Sequence, residues 1–261
     1  MEIEIRKVLK GKQKKQYIHL PTRLHKGHSN WVPPIWLDEK TYYNPKKNKS
    51  FQKCDTILFL AFKDGKPAGR IMGIINRPYN ESRDEKHARF AWLESTEDKG
   101  VVEVLLKATE DWARGMGMER LVGPLGFSDK DPQGLLIEGF DESMVIATNC
   151  NHSWLPDMVG GCGYEKDVDL VVYKVDIPEK VPEIYSKIAE RVLAGNNLIV
   201  REFKKRKELR AAIRPVLGLM NDTFEEIYGF DRLSGKEMDE FAARYIPLLD
   251  PRFIKVVETP G

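Results

Sequence analysis

The chain has 261 residues, a formal charge of +2 from 42 Lys and Arg against 40 Asp and Glu, 41% hydrophobic and 10% aromatic residues, and three cysteines. This composition allows one large domain or two smaller ones with a real core, excludes a disordered chain and removes the main reason to expect nucleic-acid binding. Cys54, Cys150 and Cys162 form no CxxC pair, and no stretch approaches 18 uninterrupted apolar residues, so a cytoplasmic protein with no membrane partner is expected.

Glu2 to Val8 alternates as a strand, with Ile3 and Ile5 against charged neighbours. The basic run Lys10 to Lys15 reads as a solvated turn leading into a short helical stretch that ends near Pro21. In HKGHSNWVPPIW, Pro33 and Pro34 favour an extended path, and Thr41 to Ser50 is polar and turn-rich. Three strands are predicted next. These are Thr56 to Phe62, then, after the hairpin signal Asp64-Gly65, Pro67 to Asn76, and, after a polar loop over Arg77 to Lys86, His87 to Leu93. Gly69 and Gly73 mark a bulge or a close backbone approach.

The period then changes. Val101, Leu105, Ala108 and Trp112 recur at helical spacing, with Ser95, Thr96 or Asp98 as N-cap and Gly115 or Gly117 at the end. A short strand at Arg120 to Val122 runs into the long loop GPLGFSDKDPQGLLIEGFDE. A helix near Trp154 to Val159 and a long strand, Tyr164 to Ile177, follow. After a linker around Pro178 and Pro182 come a helix (Glu183 to Leu193), a turn at Gly195-Asn196-Asn197 and a strand (Leu198 to Phe203). Helices near Leu209 to Phe224 and Gly235 to Tyr245 and a last strand, Phe253 to Val257, complete the chain. EIRKVLKGKQKKQYI and IVREFKKRKELRAAI both run strand, basic turn, helix, a faint internal repeat.

The order through residue 177, together with AGRIMGIIN, RFAWLE, VVEVLLKATEDWARGMG and the 123–141 segment, resembles the GNAT superfamily of acyl-CoA-dependent N-acyltransferases, in a bacterial tandem-GNAT-like branch. The resemblance implies an α/β (α+β) fold, a mixed, mostly antiparallel sheet flanked by helices over residues 1–177. Residues 178–261 then read as an incomplete second GNAT-like domain of a truncated chain. It implies acetyl-CoA or another acyl-CoA as cosubstrate and a small-molecule amine as acceptor. The pantetheine arm would pair with the backbone of Phe90 to Glu94, so Trp92 and Leu93 are cofactor-binding candidates. The pyrophosphate would sit at the helix N-terminus on Lys99, Gly100, Val101 and Val102.

This chain departs from the family pattern at two places. The usual glycine-rich phosphate loop is replaced by STEDKGVVEV, and the family's acidic tyrosine aligns with Val159, which carries no proton. Among loop residues able to take a proton from the amine, Glu138 and Asp131 rank first and His152 third. Cys162 reads as a packing residue, and His25 and His28 lack a further ligand at metal-site spacing, so no metal is expected. The alternative to an enzyme is a catalytically silent GNAT-derived binding or scaffold domain with a degenerate cofactor loop.

Overall fold

The sheet that organises the first half is built around its central strand. In the computed structural model, which describes residues 2–145, 148–195 and 198–259, the strands run in the order β1 (Ile3–Lys7), β2 (Cys54–Lys63), β3 (Lys66–Asn76), β4 (His87–Ser95) and β5 (Arg120–Val122). The first three pairings are antiparallel and β4–β5 is parallel. The β2–β3 turn is carried by Asp64 and Gly65 at φ 50° and 74°, the paired left-handed geometry whose twist matches the strands it joins.

β3 is buried from Ala68 to Asn76, because helices cover both faces of the sheet. On one face Ile57, Phe59, Ile71 and Phe90 pack against α5 (Lys99–Gly115) through Val101, Leu105 and Leu106, and against α6 (Leu155–Gly160) through Leu155 and Val159. On the other, Leu60, Met72, Ile74 and Ala91 pack against Tyr17, Ile18 and Leu20 of α1 (Gly11–Leu24) and against Tyr43. Trp36 and Tyr42 of α2 (Trp36–Tyr42) join this second cluster. A one-turn α3 (Ser50–Lys53) leads into β2.

Two sequence expectations need correction. The loop expected over Arg77 to Lys86 contains a helix, α4 (Arg77–Arg83): the Asn76 side chain accepts from the Tyr79 N–H and Pro78 occupies the first turn, so cap and proline together start a helix that apolar periodicity could not reveal. The long strand expected over Tyr164 to Ile177 is absent; the segment is irregular and mostly exposed. Its alternation of Val168, Leu170 and Val172 needs a neighbouring edge to become a strand. β5 is only three residues long, and the segment's ties to it include the Arg120–Asp167 ion pair at 2.6 Å.

The chain divides into two compact units, Met1–Leu170 and Val171–Gly261. The second contains α7 (Glu183–Ala194), β6 (Ile199–Glu202), α8 (Arg206–Thr223), α9 (Gly235–Tyr245) and β7 (Lys255–Glu258). β6 and β7 pair antiparallel over a core of Phe203, Leu209, Ala212, Ala242 and Ile246. Asn196 and Asn197 of the predicted turn, and the closing Pro260-Gly261, lie outside the described residues.

Gly73 is where helix and sheet touch: a Cβ there would stand 2.7 Å from the Trp112 ring and 2.9 Å from Ile57. Gly73→Ala is therefore expected to destabilise the first unit by about 1–3 kcal/mol, measured as a lower urea midpoint with an unchanged slope.

Candidate functional site

β4 carries the features that make a site. Opposite Ile71 it holds two residues, Trp92 and Leu93, because the register jumps from Met72↔Ala91 to Arg70↔Glu94. Trp92 takes φ 48° at this bulge, which frees main-chain groups from the β3 ladder. On its other edge β4 pairs with β5 only from His87 to Arg89, and the Leu125 N–H adds one bond to the Phe90 carbonyl. From Ala91 onward this edge has no ladder partner among the described residues, so β4 and the chain leaving β5 diverge as a wedge. A cavity of about 160 Å³ lies there, walled by Trp92, Leu93 and Glu94 on one side and by Pro124, Leu135 and Cys150 on others.

A chain of hydrogen bonds runs from the core to this cavity. Arg70, 3% exposed, donates from Nη1 to the Tyr17 carbonyl (3.0 Å) and from Nη2 to Glu94 Oε1 (2.8 Å). The other Glu94 oxygen meets His25 Nε2 at 3.1 Å; His25 Nδ1 meets His28 Nδ1 at 2.9 Å; and His28 Nε2 stands 4.0 Å from the Cys150 sulfur. Burial alone would raise the Glu94 pKa, but Arg70 and His25 outweigh it and hold the carboxyl below its ordinary value. Beside the carboxylate, a neutral His25 that donates from Nε2 accepts at Nδ1; in that assignment His28 donates from Nδ1 and presents a lone pair at Nε2. Burial first, then the neighbouring His152 and His25, lowers the His28 pKa.

Stacked rings hold the relay. His152 lies nearly parallel to both His25 (4.9 Å, 8°) and His28 (4.6 Å, 23°), Trp31 stacks on His25 (4.9 Å, 4°) and Trp154 on His152 (5.3 Å, 11°). His152 Nε2 also reaches the Leu24 carbonyl at 3.2 Å. The long loop is fastened to the same place. Asn151 accepts from the Leu136 N–H and donates to its carbonyl, and Asn149 donates to the Gly134 carbonyl.

The three imidazoles place one ring nitrogen each within 4.8 Å of the others, the one such group of His, Cys, Asp or Glu found among the described residues. Two nitrogens on a tetrahedral zinc stand about 3.3 Å apart. The 2.9 Å edge-on contact of His25 and His28 is instead hydrogen-bond geometry.

Of the residues singled out from sequence, Trp92 and Leu93 line the cavity and His152 belongs to the ring stack. Asp131 is engaged elsewhere: it accepts from Tyr42 Oη (2.9 Å) and the Phe127 N–H (2.8 Å), and burial raises its pKa despite those bonds. Glu138 is exposed. At the start of α5 the amides of Gly100, Val101 and Val102 are all directed to Asp98, the first to its side chain at 2.9 Å and the others to its carbonyl. The Asp98 carboxylate is in turn paired with Lys63, which lowers its pKa. Lys99 lies with Nζ beside Gly161, and Val101 and Val102 bury their side chains fully. His25, His28, Arg70, Glu94 and Cys150 were missed as a constellation. The spacing of His25 and His28 was visible, but Glu94 and Cys150 meet them only through the fold.

Residues 23–124 match the family described as "Acetyltransferase (GNAT) family". The chain is 28% identical over 250 residues to a protein named bacterial ceramide synthase from Caulobacter vibrioides, covering 95% of this chain and 64% of that protein. It is 26% identical over 169 residues to protein YghO of Escherichia coli, covering 65% of this chain and 43% of that one. The chain thus spans less than two-thirds of the length of these curated relatives. Among solved structures, an aminoglycoside acetyltransferase from an uncultured soil metagenomic sample, in complex with sisomicin, aligns with TM-score 0.41 at 15% identity, covering 67% of this chain and 97% of that one. A tandem GNAT protein from the clavulanic acid biosynthesis pathway aligns with TM-score 0.40 at 13% identity, covering 62% and 43%.

The Arg70–Glu94 pair is the energetic centre of this site. Arg70→Met leaves the Glu94 charge without its guanidinium and is expected to cost about 3–5 kcal/mol at pH 7. Because the folded carboxyl is lowered from its ordinary 4.5, its stabilising contribution is present above that value and is lost as pH falls through the folded pKa. The variant's deficit in urea unfolding should therefore shrink on acidification below pH 4.5.

Proposed function

Since residues 23–124 match the acetyltransferase (GNAT) family, we propose that the first unit is an acyl-CoA-dependent N-acyltransferase of that family. The observation that carries this reading is the β4 edge, without a ladder partner beyond Phe90 among the described residues, beside a cavity whose walls include Glu94 and Cys150, the two ends of the imidazole relay. The thioester arm lies along Ala91 to Ser95 as an added strand, and its carbonyl meets the main chain freed at the Trp92 bulge. His28 Nε2 takes the proton of the acceptor ammonium and releases it to solvent, the free amine attacks the carbonyl, and as the C–S bond breaks the same ring nitrogen takes the second proton from the forming amide. Cys150, kept as a thiol by burial and by the Glu94 charge, passes its proton to the departing thiolate and is restored from His28. This arrangement supplies the acid that Val159 lacks.

The likeness to a protein named ceramide synthase favours a long-chain acyl group and an amino lipid over transfer of acetyl to a small amine. The cavity agrees with an extended substrate. At about 160 Å³ it is smaller than the roughly 300–1,000 Å³ of sites that enclose a ligand, so it takes the reacting ends and leaves the tails outside. A cytoplasmic site of action fits the absence of any disulfide among the three cysteines. The one observation that favours a silent scaffold is Asp98, whose own carboxylate fills the helix N-terminus that would hold the pyrophosphate.

Calorimetry with acetyl-CoA and a long-chain acyl-CoA is expected to show binding; none at millimolar ligand leaves only the scaffold reading. His28→Ala should lower kcat about 10²–10⁴-fold with a small change in KM. The wild-type rate should fall only on the acid side of pH 6.5, since burial moves this base below that ordinary value. Asp98→Asn keeps the cap acceptor while removing its charge, and should tighten CoA about two- to fivefold, read in the same titration.

A further inference from the structure

The charge of this chain is balanced overall but not along its length. Between Lys10 and Ser50 there are ten Lys and Arg against two Asp and Glu, a net +8 in a chain whose total is +2. Lys12, Lys15, Lys26, Lys40, Lys46 and Lys47 of this stretch are exposed. The same stretch displays apolar side chains: Val32 is 54% exposed, Ile35 70% and Leu37 71%. These three follow Trp31, and Val32 and Pro34 themselves form part of the cavity mouth. The display is built in. Pro33 and Pro34 fix an extended path, and α2 then turns Trp36 and Tyr42 onto the sheet while Leu37 points away.

The basic and apolar features share one side of the molecule, because α1 and α2 both pack on the same face of the sheet. His19 of α1 touches the Trp36 ring at 4.8 Å, joining α1 to the start of α2, and Lys15 and Lys40 of these two helices are both exposed. Side chains that insert among acyl tails, ringed by lysines that meet anionic headgroups, are the two signals that together hold a protein on a membrane surface. A nucleic acid would answer the lysines but leaves Ile35 and Leu37 without a partner.

We infer that the rim formed by Val32, Ile35 and Leu37, with Lys15, Lys40, Lys46 and Lys47 around it, docks the first unit on an anionic lipid bilayer with the cavity mouth facing the headgroups. This replaces the expectation from sequence that the chain has no membrane partner. It involves no spanning segment: no described helix is long and apolar enough to cross a membrane. Docking would let an amphipathic amine enter the wedge by its polar end while its hydrocarbon stays in the bilayer. That consequence rests on the acyltransferase reading; the docking itself does not.

Sedimentation of the full chain with vesicles tests it, using phosphatidylcholine alone and phosphatidylcholine containing one-third phosphatidylglycerol. The expected result is binding to the anionic vesicles at least about tenfold tighter than to the neutral ones, weakened by salt. Ile35→Ser/Leu37→Ser and, separately, Lys40→Glu/Lys47→Glu should each weaken it about tenfold, with circular dichroism and acyl-CoA titration verifying that both variants are folded. Three results overturn the proposal: no sedimentation with anionic vesicles, folded Ile35→Ser/Leu37→Ser binding them as wild type does, or duplex DNA competing fully while that variant is unaffected. Loss of acyl-CoA binding in a chain that still sediments with vesicles would refute the transferase reading and leave the docking intact.

Discussion

A guanidinium sealed inside a sheet demands partners, and those that Arg70 finds at its two Nη atoms order the rest of the first unit. Its position on β3 makes burial unavoidable, because both faces of that strand are covered. One arm ties down the α1 backbone at Tyr17 and the other holds Glu94 at the end of β4. Glu94 is left with a second oxygen, and the chain returns His25 from the C-terminal end of α1 to meet it. A buried ion pair contributes little net stability when compared with apolar residues of the same shape, but it penalises any register that separates its members. Here the members come from α1, β3 and β4, so the pair fixes their mutual placement and, through His25, the direction of His28.

This explains which parts were legible in the sequence. The three-strand meander could be read from Asp64-Gly65, from the apolar runs on either side and from the change of period at Val101, because each is a local signal of backbone conformation or face. Asp98, one of three cap candidates, and Gly117, one of two candidate stops and left-handed at φ 81°, were legible for the same reason. The site was not. Glu94 reads as an ordinary charged residue at a strand end, and His25 and His28 as two histidines short of a partner, since the group that gives them meaning lies 69 residues away from His25. The strand over Tyr164 to Ile177 failed in the opposite direction: alternation was present, but pairing needs an edge, and edges are not written in the segment that would use them.

The two halves of the cofactor question also separate on physical grounds. The wedge depends on topology: β5 stops after three residues while β4 runs on, so main-chain groups are left open whatever side chains stand nearby. The helix N-terminus depends on local chemistry, and there Asp98 already supplies the negative charge that the α5 dipole and its amides attract. A phosphate arriving at that end must displace a carboxylate that Lys63 holds in place. On the proposed transferase reading, recognition of an acyl-CoA would therefore shift away from the pyrophosphate and toward the thioester arm and the acyl chain.

That shift bears on how specificity can arise. On that reading, a small cavity bounded by Pro124, Leu135 and the β4 bulge would select the reacting groups by fit, but would enclose too little of a long substrate to recognise the remainder by burial. The remainder would then be recognised where it emerges, at Trp31 to Leu37, in the stretch where exposed apolar side chains and an excess of lysines occur together. In the proposed enzyme, a relay fixed at its core by Arg70 and Glu94 and a mouth that is apolar and basic at its edge would divide the labour: geometry near Glu94 would govern proton transfer, and surface chemistry would govern which molecules come within reach of it.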